Sequence, residues 1–355
     1  MTCYLRSIAT AVPETSLSQQ ETYAIAESVC DAGSRSRAAE AVYRKTGVAH
    51  RGSVLFAEPG SDDAPQSFYP VEESPGTGAR MAAYDRHARL LAKRSARAAL
   101  GSSRLPPSAI GHLVTTSCTG FASPGWELSL YRELGLSLAC GRTQIGFMGC
   151  HAAFNALRTA AAMAPATGPT LVCCTELCSL HMHYGWDSDK VVANALFADG
   201  SASLVCDRSP DGAFATLLDT ATHVESGTED LMSWTIGDHG FEMTLSAEVA
   251  DVISRRLPDW IDGRLAAVGL SRGDVAGWAC HPGGPRILGA VEESLDLDDA
   301  ALAISRGVLH DYGNMSSPTI LFILERMRET VRGPVVALGF GPGLTFEAMI
   351  LNVSP

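Results

Sequence analysis

The chain has 355 residues, of which 46% are hydrophobic and 19% charged, and its formal net charge is −12. This composition is typical of a compact globular protein and excludes a fibre or a disordered chain. The length predicts two lobes or one large α/β unit. The acidic balance disfavours non-specific binding to nucleic acid or to an anionic membrane, so an anionic substrate would need a local basic patch.

The location of the protein is predicted from what its sequence lacks. The first residues have neither the basic flank nor the apolar stretch of a secretion signal, and no run of about 18 apolar residues occurs. We therefore expect a cytoplasmic protein without a membrane span, whose ten cysteines are reduced thiols. Cys173, Cys174 and Cys178 cluster, but their spacing does not match common zinc sites, so no metal is predicted.

Strands and helices are predicted to alternate along the chain. A polar, Pro- and Gly-rich stretch at Phe56–Gly78 predicts a long surface loop, and residues 79–100 predict an amphipathic helix with a basic face. Buried strands are predicted at His112–Ser117, Thr170–Cys174, Ala202–Cys206, Gly277–His281 and Val335–Phe340. Helical patterns occupy residues 151–164, 247–261 and 317–331. The alternation predicts an α/β fold.

A change of composition at Cys206–Phe214 predicts the boundary between two lobes. The N-terminal lobe would comprise residues 1–207 and the C-terminal lobe residues 208–355. The helix that is predicted to begin at Cys150 carries no charge apart from Arg158, so water cannot be its main neighbour. We therefore predict that this helix lies at the centre of the fold.

Cys150 can be a small core residue or a nucleophile on the first turn of this helix. Unpaired N–H groups and the helix dipole would lower the pKa of the thiol there, whereas burial would raise it. A cationic imidazole would favour the thiolate, because a Cys–His ion pair keeps it populated at neutral pH. A histidine partner is therefore expected if Cys150 is catalytic.

His281 is the best candidate for this partner. It ends a predicted strand and runs into a Pro-Gly-Gly turn at Gly283 and Gly284, which allows a ligand to approach the backbone closely. The alternative is a strand-end histidine that hydrogen-bonds nearby backbone. His151 is adjacent to Cys150, but it faces away by roughly a quarter of a helical turn and is a weaker partner.

Two later stretches could complete a site. Asn314 precedes a predicted helix and is either its N-cap or an uncharged donor for an enolate or oxyanion. Gly339, Gly341 and Gly343 surround Pro342 and predict a tight turn between two strands. This turn can also form the floor of a pocket.

Five motifs in order resemble the type III polyketide synthases of the chalcone synthase superfamily over nearly the full chain. They are GCHAAFNALR at Cys150, ALFADGSASLV at Phe197, HPGGPRIL at His281, YGNMSSPTILFIL at Asn314 and GFGPGLTFE near the end. The resemblance implies an α/β, thiolase-like αβαβα five-layered fold and a homodimer. It also implies a Cys–His–Asn site that needs no metal, flavin or carrier protein.

The resemblance also implies roles for single residues. Cys150 would accept a starter acyl group from acyl-CoA, and His281 and Asn314 would stabilise the enolate formed when malonyl-CoA loses CO2. Phe197 would be a gatekeeper that places the malonyl carboxylate in an apolar spot, whereas its sequence context alone predicts a core residue. The extended chain would then cyclise to a pyrone or a phenolic product.

Substrate-binding residues are expected at the CoA entrance and around the cavity. Lys45 and Arg51 align with the family's phosphate-side segment, with solvated surface charge as the alternative; Arg286, beside Gly283 and Gly284, stands where the family commonly has a small residue. Cavity residues are predicted to be Thr116, Ser117, His181, Met243, Ser316, Gly341, Pro342 and Gly343. His181 and Met243 depart from the plant pattern, so cavity size and the mode of cyclisation stay open.

Other functions remain to be weighed against this one. An initiating β-ketoacyl synthase of the acyl-carrier-protein type shares the fold and the Cys–His–Asn chemistry, but GFGPGLTFE and GNMSSP match the polyketide group better. A degradative thiolase needs a second cysteine near the C-terminus, and none follows Cys280. A non-catalytic partner would have lost a site residue, and a cysteine hydrolase would pass the acyl group to water.

Overall fold

The computed structural model describes residues 2–29, 36–55, 68–70 and 73–354. Its helices are α1 (Gln19–Val29), α2 (Ser36–Lys45), α3 (Thr77–Ser103), α4 (Glu127–Leu134), α5 (Ala152–Thr167), α6 (Ser188–Leu196), α7 (Val249–Ala267), α8 (Pro285–Leu295), α9 (Ala303–Tyr312) and α10 (Thr319–Thr330). Its strands are β1 (Cys3–Ala11), β2 (Ser16–Ser18), β3 (His50–Gly52), β4 (His112–Ser117), β5 (Gly141–Gly146), β6 (Thr170–Leu177), β7 (Asp199–Asp207), β8 (Ala215–Val224), β9 (Met232–Gly237), β10 (Gly240–Leu245), β11 (Gly277–Cys280), β12 (Gly333–Gly341) and β13 (Thr345–Val353).

A mixed sheet runs through the whole molecule in the order β11-β12-β13-β8-β1-β7-β6-β4-β5. The strands before residue 207 form one end of this order and the later strands the other end. They join where β1 pairs antiparallel with β8, with Cys3 opposite Leu217. The predicted boundary between the lobes is therefore crossed by an unbroken ladder of backbone hydrogen bonds.

Helices lie in three layers around this sheet. The long helix α3 packs on β1, β6 and β7, and α7 and α8 pack on each other over the strands of the C-terminal lobe. Between these outer layers, α5 and α10 contribute to one buried core with both ends of the sheet. Because this central layer has no face toward water, α5 is apolar nearly all round. The arrangement is the thiolase-like αβαβα fold that the sequence predicts.

The regular elements agree with the sequence where it is strongly patterned. The five predicted strands and the predicted helices all occur, and β12 and β13 are joined by the predicted Gly-Pro-Gly turn. The predicted loop at Phe56–Gly78 ends where α3 begins at Thr77, and residues 56–67, 71 and 72 lie outside the described residues. Strands β1, β2, β3, β5 and β8 and the hairpin β9–β10 were not predicted.

The described ranges also bear on two other expectations. No helix within them is both long and apolar enough to cross a bilayer. Their cysteines are free thiols, and Cys173 and Cys174 lie fully buried in β6.

Candidate active site

Cys150 lies just before the central helix rather than in it. After β5 the chain turns through Phe147 (φ +60°) and Gly149 (φ +71°) into a single 3-10 turn, Gly149–His151, and α5 follows. A Cβ at Gly149 would come within 2.7 Å of Pro342 Cδ, so this turn needs a glycine both for its conformation and for space. The turn presents the half-buried Cys150 at the end of α5 that carries the positive helix dipole.

One small inner cavity brings together the residues that four of the five motifs singled out. Cys150, Phe197, His281 and Asn314 all line it. The remaining lining residues are apolar apart from Gly283, and they are Leu196, Met232, Met243, Leu245, Ile287 and Phe340. Residues from both predicted lobes thus share an apolar chamber with a single thiol.

His281 offers its ring to this cavity. Its backbone N–H continues the β11–β12 pairing by donating to Leu338 O at 2.8 Å, but neither ring nitrogen has a hydrogen-bond partner in the described structure. The residue is 1% exposed, and burial, aided by the nearby His151, lowers its pKa to about 3. The alternative of an imidazole tied to neighbouring backbone is therefore wrong, and a neutral ring is left to meet a substrate.

Asn314 is held by its own loop and does not cap a helix. Its Oδ1 accepts the Ser316 N–H at 2.8 Å, and α10 begins only at Thr319, after Pro318 at the N-cap. With Oδ1 used, the side-chain N–H groups are available, and the amide hydrogen-bonds the Cys150 thiol. The N-cap alternative is wrong, and the amide serves the cavity.

Ser316 also hydrogen-bonds the thiol of Cys150. It adopts φ +57°, which is uncommon for a residue with a side chain. Its backbone N–H donates to Asn314 Oδ1, which ties this conformation to the Asn314 side chain.

Electrostatics around Cys150 differ from the predicted ion pair. Burial raises the pKa of Cys150 to about 11, while the hydrogen bonds with Ser316 and Asn314 act in the opposite direction. Since burial also lowers the pKa of His281, it favours a neutral thiol beside a neutral imidazole. The side chains of Ser316 and Asn314 lower the pKa of Cys150, and a cationic His281 as its partner stays a prediction.

Phe197 is tied to Asn314 through the backbone. The Asn314 N–H donates to Leu196 O at 2.8 Å, and the Ala198 N–H donates to Asn314 O at 2.9 Å. The Phe197 ring is half-buried and meets the Trp234 ring edge-on, with 6.0 Å between centroids. The gatekeeper candidate and the amide are therefore positioned as one unit.

An outer cavity of about 620 Å³ adjoins the inner one. Lys45, Gly283, Gly284 and Arg286 line it, and the inner cavity shares Gly283 with it. Lys45 and Arg286 are exposed, so this acidic protein presents two cations at the opening. These are four of the five residues that were predicted to bind CoA.

Arg51, the fifth, lies elsewhere. It is 3% exposed and donates to Asn194 O at 2.7 Å and to Phe197 O at 3.0 Å. Both readings of Arg51, as a phosphate ligand and as a solvated surface charge, are therefore wrong. Its basic neighbours on the sequence face the surface, and Arg51 points inward from β3.

The predicted cavity residues divide into linings and supports. Met243, Ser316 and Pro342 line a space of about 40 Å³ against Cys150, and His181 lines a further space of about 50 Å³ beyond Phe197. Thr116, Ser117, Gly341 and Gly343 are not among the residues that line these three spaces, so their contact with the substrate stays a prediction. They belong to the layer of residues behind the cavity lining.

The supporting layer centres on the buried carboxylate of Glu176. It accepts hydrogen bonds from the Ser117, Thr119 and Ser317 hydroxyls and from the Cys118 N–H, and burial raises its pKa. Thr116 joins through Ser317 at 3.1 Å. Ser117 thus fixes the loop that follows β4, whereas Thr116 links β4 to Ser317 in the segment after Asn314.

Trp234 was not predicted to lie at the site. This residue lies on β9 and lines both the space at His181 and the space of about 40 Å³ at Cys150. Its indole N–H donates to Cys118 O at 2.7 Å. The hairpin that carries it has alternating residues around a Gly-Asp-His-Gly turn, which is a recognisable hairpin signal. Trp234 therefore separates the space at Cys150 from the one at His181.

The chain matches two family models along most of its length. The model for the N-terminal domain of chalcone and stilbene synthases covers residues 2–210, and the model for their C-terminal domain covers residues 217–355. The chain belongs to the chalcone and stilbene synthase family. As a type III polyketide synthase, it is an acyltransferase.

Individual relatives of this type III polyketide synthase agree with the assignment. It is 32% identical to the alpha-pyrone synthesis polyketide synthase-like Pks18 of Mycobacterium tuberculosis, over 98% of this chain and 91% of that protein. It is 30% identical to type III polyketide synthase 21 of rice, Oryza sativa, over 98% of this chain and 93% of the relative. The similarity to the Mycobacterium protein agrees with the prediction of a bacterial-type synthase.

Solved structures resemble this synthase along its whole length. PKS-I of the brown alga Ectocarpus siliculosus has a TM-score of 0.92 at 29% identity, covering 99% of this chain and 98% of that one. The C-terminal type III domain of Dictyostelium Steely1 has a TM-score of 0.91 at 27% identity over the full length of both chains. In the described ranges, no three His, Cys, Asp or Glu side chains are grouped to hold a metal.

Proposed function

We propose that this synthase loads a starter acyl group from acyl-CoA onto Cys150 and extends it with malonyl-CoA by decarboxylative condensation. The observation that carries the proposal is the shared cavity of Cys150, His281, Asn314 and Phe197. The outer cavity shares Gly283 with it and has exposed cations, so we propose that a CoA thioester reaches the thiol from that side. Neither step calls for a metal or a redox cofactor.

In the loading step, the buried thiol attacks the acyl carbon of the CoA thioester. As the sulfur attacks, its proton passes to a ring nitrogen of His281, which has no hydrogen-bond partner in the described structure. Because burial disfavours both charged forms, this transfer accompanies the attack and does not precede it. The acyl carbon–sulfur bond to CoA then breaks, and His281 returns the proton to the leaving CoA sulfur. A neutral imidazole suits this step because it can accept a proton first and donate it afterwards.

In the extension step, the malonyl carboxylate lies against the apolar surface of Phe197 and leaves as CO2. Removing the carboxylate from water disfavours its charge and so favours its loss. The electron pair left on carbon forms an enolate whose oxygen accepts hydrogen bonds from Asn314 and His281. The carbanion attacks the thioester carbonyl, and the bond to Cys150 sulfur breaks to regenerate the thiolate.

The products and the assembly belong to the same proposal. We propose release by cyclisation to a pyrone or a phenolic ring, with a pyrone first because one relative is named for alpha-pyrone synthesis. We also propose a cytoplasmic homodimer that binds no nucleic acid. Strand β5 is the edge of the sheet, and the exposed apolar side chains Phe121 and Met148 flank it, which gives a second copy a surface to pair with.

The test is a mass-spectrometric screen of the purified protein. Malonyl-CoA is supplied with long-chain, short-chain or aromatic acyl-CoA in turn, and the acyl mass on Cys150 and the released products are recorded. We expect a polyketide with one preferred starter, and neither adduct nor product in Cys150→Ala. Product formation by Cys150→Ala at the wild-type rate would refute the nucleophile, and condensation only with added acyl carrier protein would favour an initiating synthase.

A further inference from the structure

Arg51 lies at the C-terminal end of α6, directly behind the gatekeeper candidate. It projects from β3, is 3% exposed and lines the space beyond Phe197. Its guanidinium faces backbone carbonyls and the side chain of Gln19. Burial lowers the pKa of Arg51 to about 10, so the group is still cationic at neutral pH.

The last turn of a helix leaves four carbonyls without helical partners, and at α6 each of them has a partner. Ala193 O accepts the Phe197 N–H, and Leu196 O accepts the Asn314 N–H. Arg51 donates to the other two, Asn194 O at 2.7 Å and Ala195 O at 2.5 Å, and Ala195 O also accepts the Gln19 side-chain amide at 2.9 Å. It then adds Phe197 O at 3.0 Å, one residue beyond the helix.

Arg51 and Asn314 therefore hold the same short segment from two sides. A guanidinium has five N–H donors in a planar fork and binds three carbonyls and the Gln19 side chain together here, whereas an ammonium group has only three donors. A cation at a helix C-terminus is also favoured by the helix dipole. If Arg51 is removed, Asn194 O and Phe197 O lose their donors while Ala195 O keeps the Gln19 amide. The segment that carries Phe197 and pairs with Asn314 then loses most of its anchoring.

We propose that Arg51 is a positioning residue that sets Phe197 and Asn314 for malonyl decarboxylation by clamping the end of α6. The inference rests on the proposed roles of those two residues. Arg51 itself touches no reacting atom. Its effect should thus fall on decarboxylation and spare the affinity for CoA.

The test compares Arg51→Met and Arg51→Lys with a matched control. Arg6 is also a mostly buried arginine that donates to the last carbonyl of a helix, Ser103 O, far from the cavity, so Arg6→Met removes a similar anchor. Each variant is assayed for malonyl-CoA decarboxylation, for acylation of Cys150 and for the KM of both CoA substrates. Thermal unfolding is measured alongside.

We expect Arg51→Met to lower the kcat of decarboxylation 10- to 100-fold with little change in either KM, and to leave acylation within threefold of wild type. Arg51→Lys should recover part of the loss, and Arg6→Met should lose stability without a selective loss of decarboxylation. Equal effects in the Arg51 and Arg6 variants would overturn the inference, and so would a rise in both KM values at unchanged kcat. If Arg51→Met does not fold, an unchanged ratio of decarboxylation to acylation in Arg51→Lys would overturn it as well.

Asn314→Ala serves as the reference for the proposed function. If it keeps full decarboxylation, the proposed role of Asn314 fails, whatever the Arg51 variants do. If it loses decarboxylation and the Arg51 variants do not, only the clamp is refuted.

Discussion

Replacing Asn314 by Asp tests the enolate site with little change in shape. In the wild-type protein the Ser316 N–H donates to Asn314 Oδ1 at 2.8 Å, and an aspartate oxygen can accept the same bond. The backbone hydrogen bonds to Leu196 and Ala198 do not depend on the side chain. The loop should therefore hold its conformation. What changes is the group that faces the cavity, where a carboxylate oxygen replaces two N–H donors.

The expected loss follows from two contributions. Removing one donor from a developing oxyanion costs about 10²–10³-fold in rate, or roughly 3–4 kcal/mol. A carboxylate about 4 Å from the enolate adds repulsion of up to about 4 kcal/mol at an effective dielectric constant near 20. Asn314→Ala should thus decarboxylate about 10²–10³-fold more slowly than wild type, and Asn314→Asp more slowly still.

Two assays separate decarboxylation from loading. Conversion of malonyl-CoA to acetyl-CoA is followed by liquid chromatography, and acylation of Cys150 by intact mass. Because a new negative charge raises the pKa of Cys150, loading in Asn314→Asp should be slow near neutral pH and recover as the pH rises. Decarboxylation should not recover. An Asn314→Asp enzyme that decarboxylates within tenfold of wild type at every pH would refute the assignment of the enolate donor.

Three further substitutions probe the thiol, the supporting layer and the opening. Ser316→Ala removes a hydrogen bond that lowers the pKa of Cys150, so the midpoint of the pH profile for iodoacetamide alkylation should move up by about one unit; a downward shift would contradict this. Gly341→Ala places a Cβ 2.0 Å from His151 Cδ2 and should cost about 1–3 kcal/mol in urea unfolding, whereas an unchanged urea midpoint would argue against this packing. Arg286→Ala should raise the KM of both CoA substrates about two- to fivefold at unchanged kcat, more strongly at low salt, and an effect on only one substrate would count against a shared entrance.

Much of the fold and the three central site residues could be predicted from the sequence. The uncharged stretch after Cys150 required a buried helix, and α5 lies in the central layer. Cys150, His281 and Asn314 were predicted because their motifs occur together in the order that is typical of the family. Each residue alone has an ordinary structural explanation. The structure adds the observation that these distant residues line one cavity.

The remainder depends on contacts that local sequence does not encode. Arg51 sits among basic residues at the surface end of its segment, but its partners are carbonyls of Asn194 and Phe197 far along the chain. Thr116 lies in a strand that ends at the site, yet its hydroxyl faces Ser317 behind the wall. Likewise, the charge states of Cys150 and His281 follow from how deeply they are buried, which motif spacing does not reveal.

The central place of β1 in the sheet has a consequence for how the chain folds. Leu5 pairs with Cys206 in β7 and with Ala215 in β8, so the first strand waits for partners made some two hundred residues later. Such long-range pairing slows folding, because the chain loses the entropy of a large loop before the contacts of the paired strands can offset that loss. During synthesis, the strand that joins the two halves must remain unpaired until β7 and β8 have left the ribosome, and its apolar residues are exposed to aggregation throughout that time.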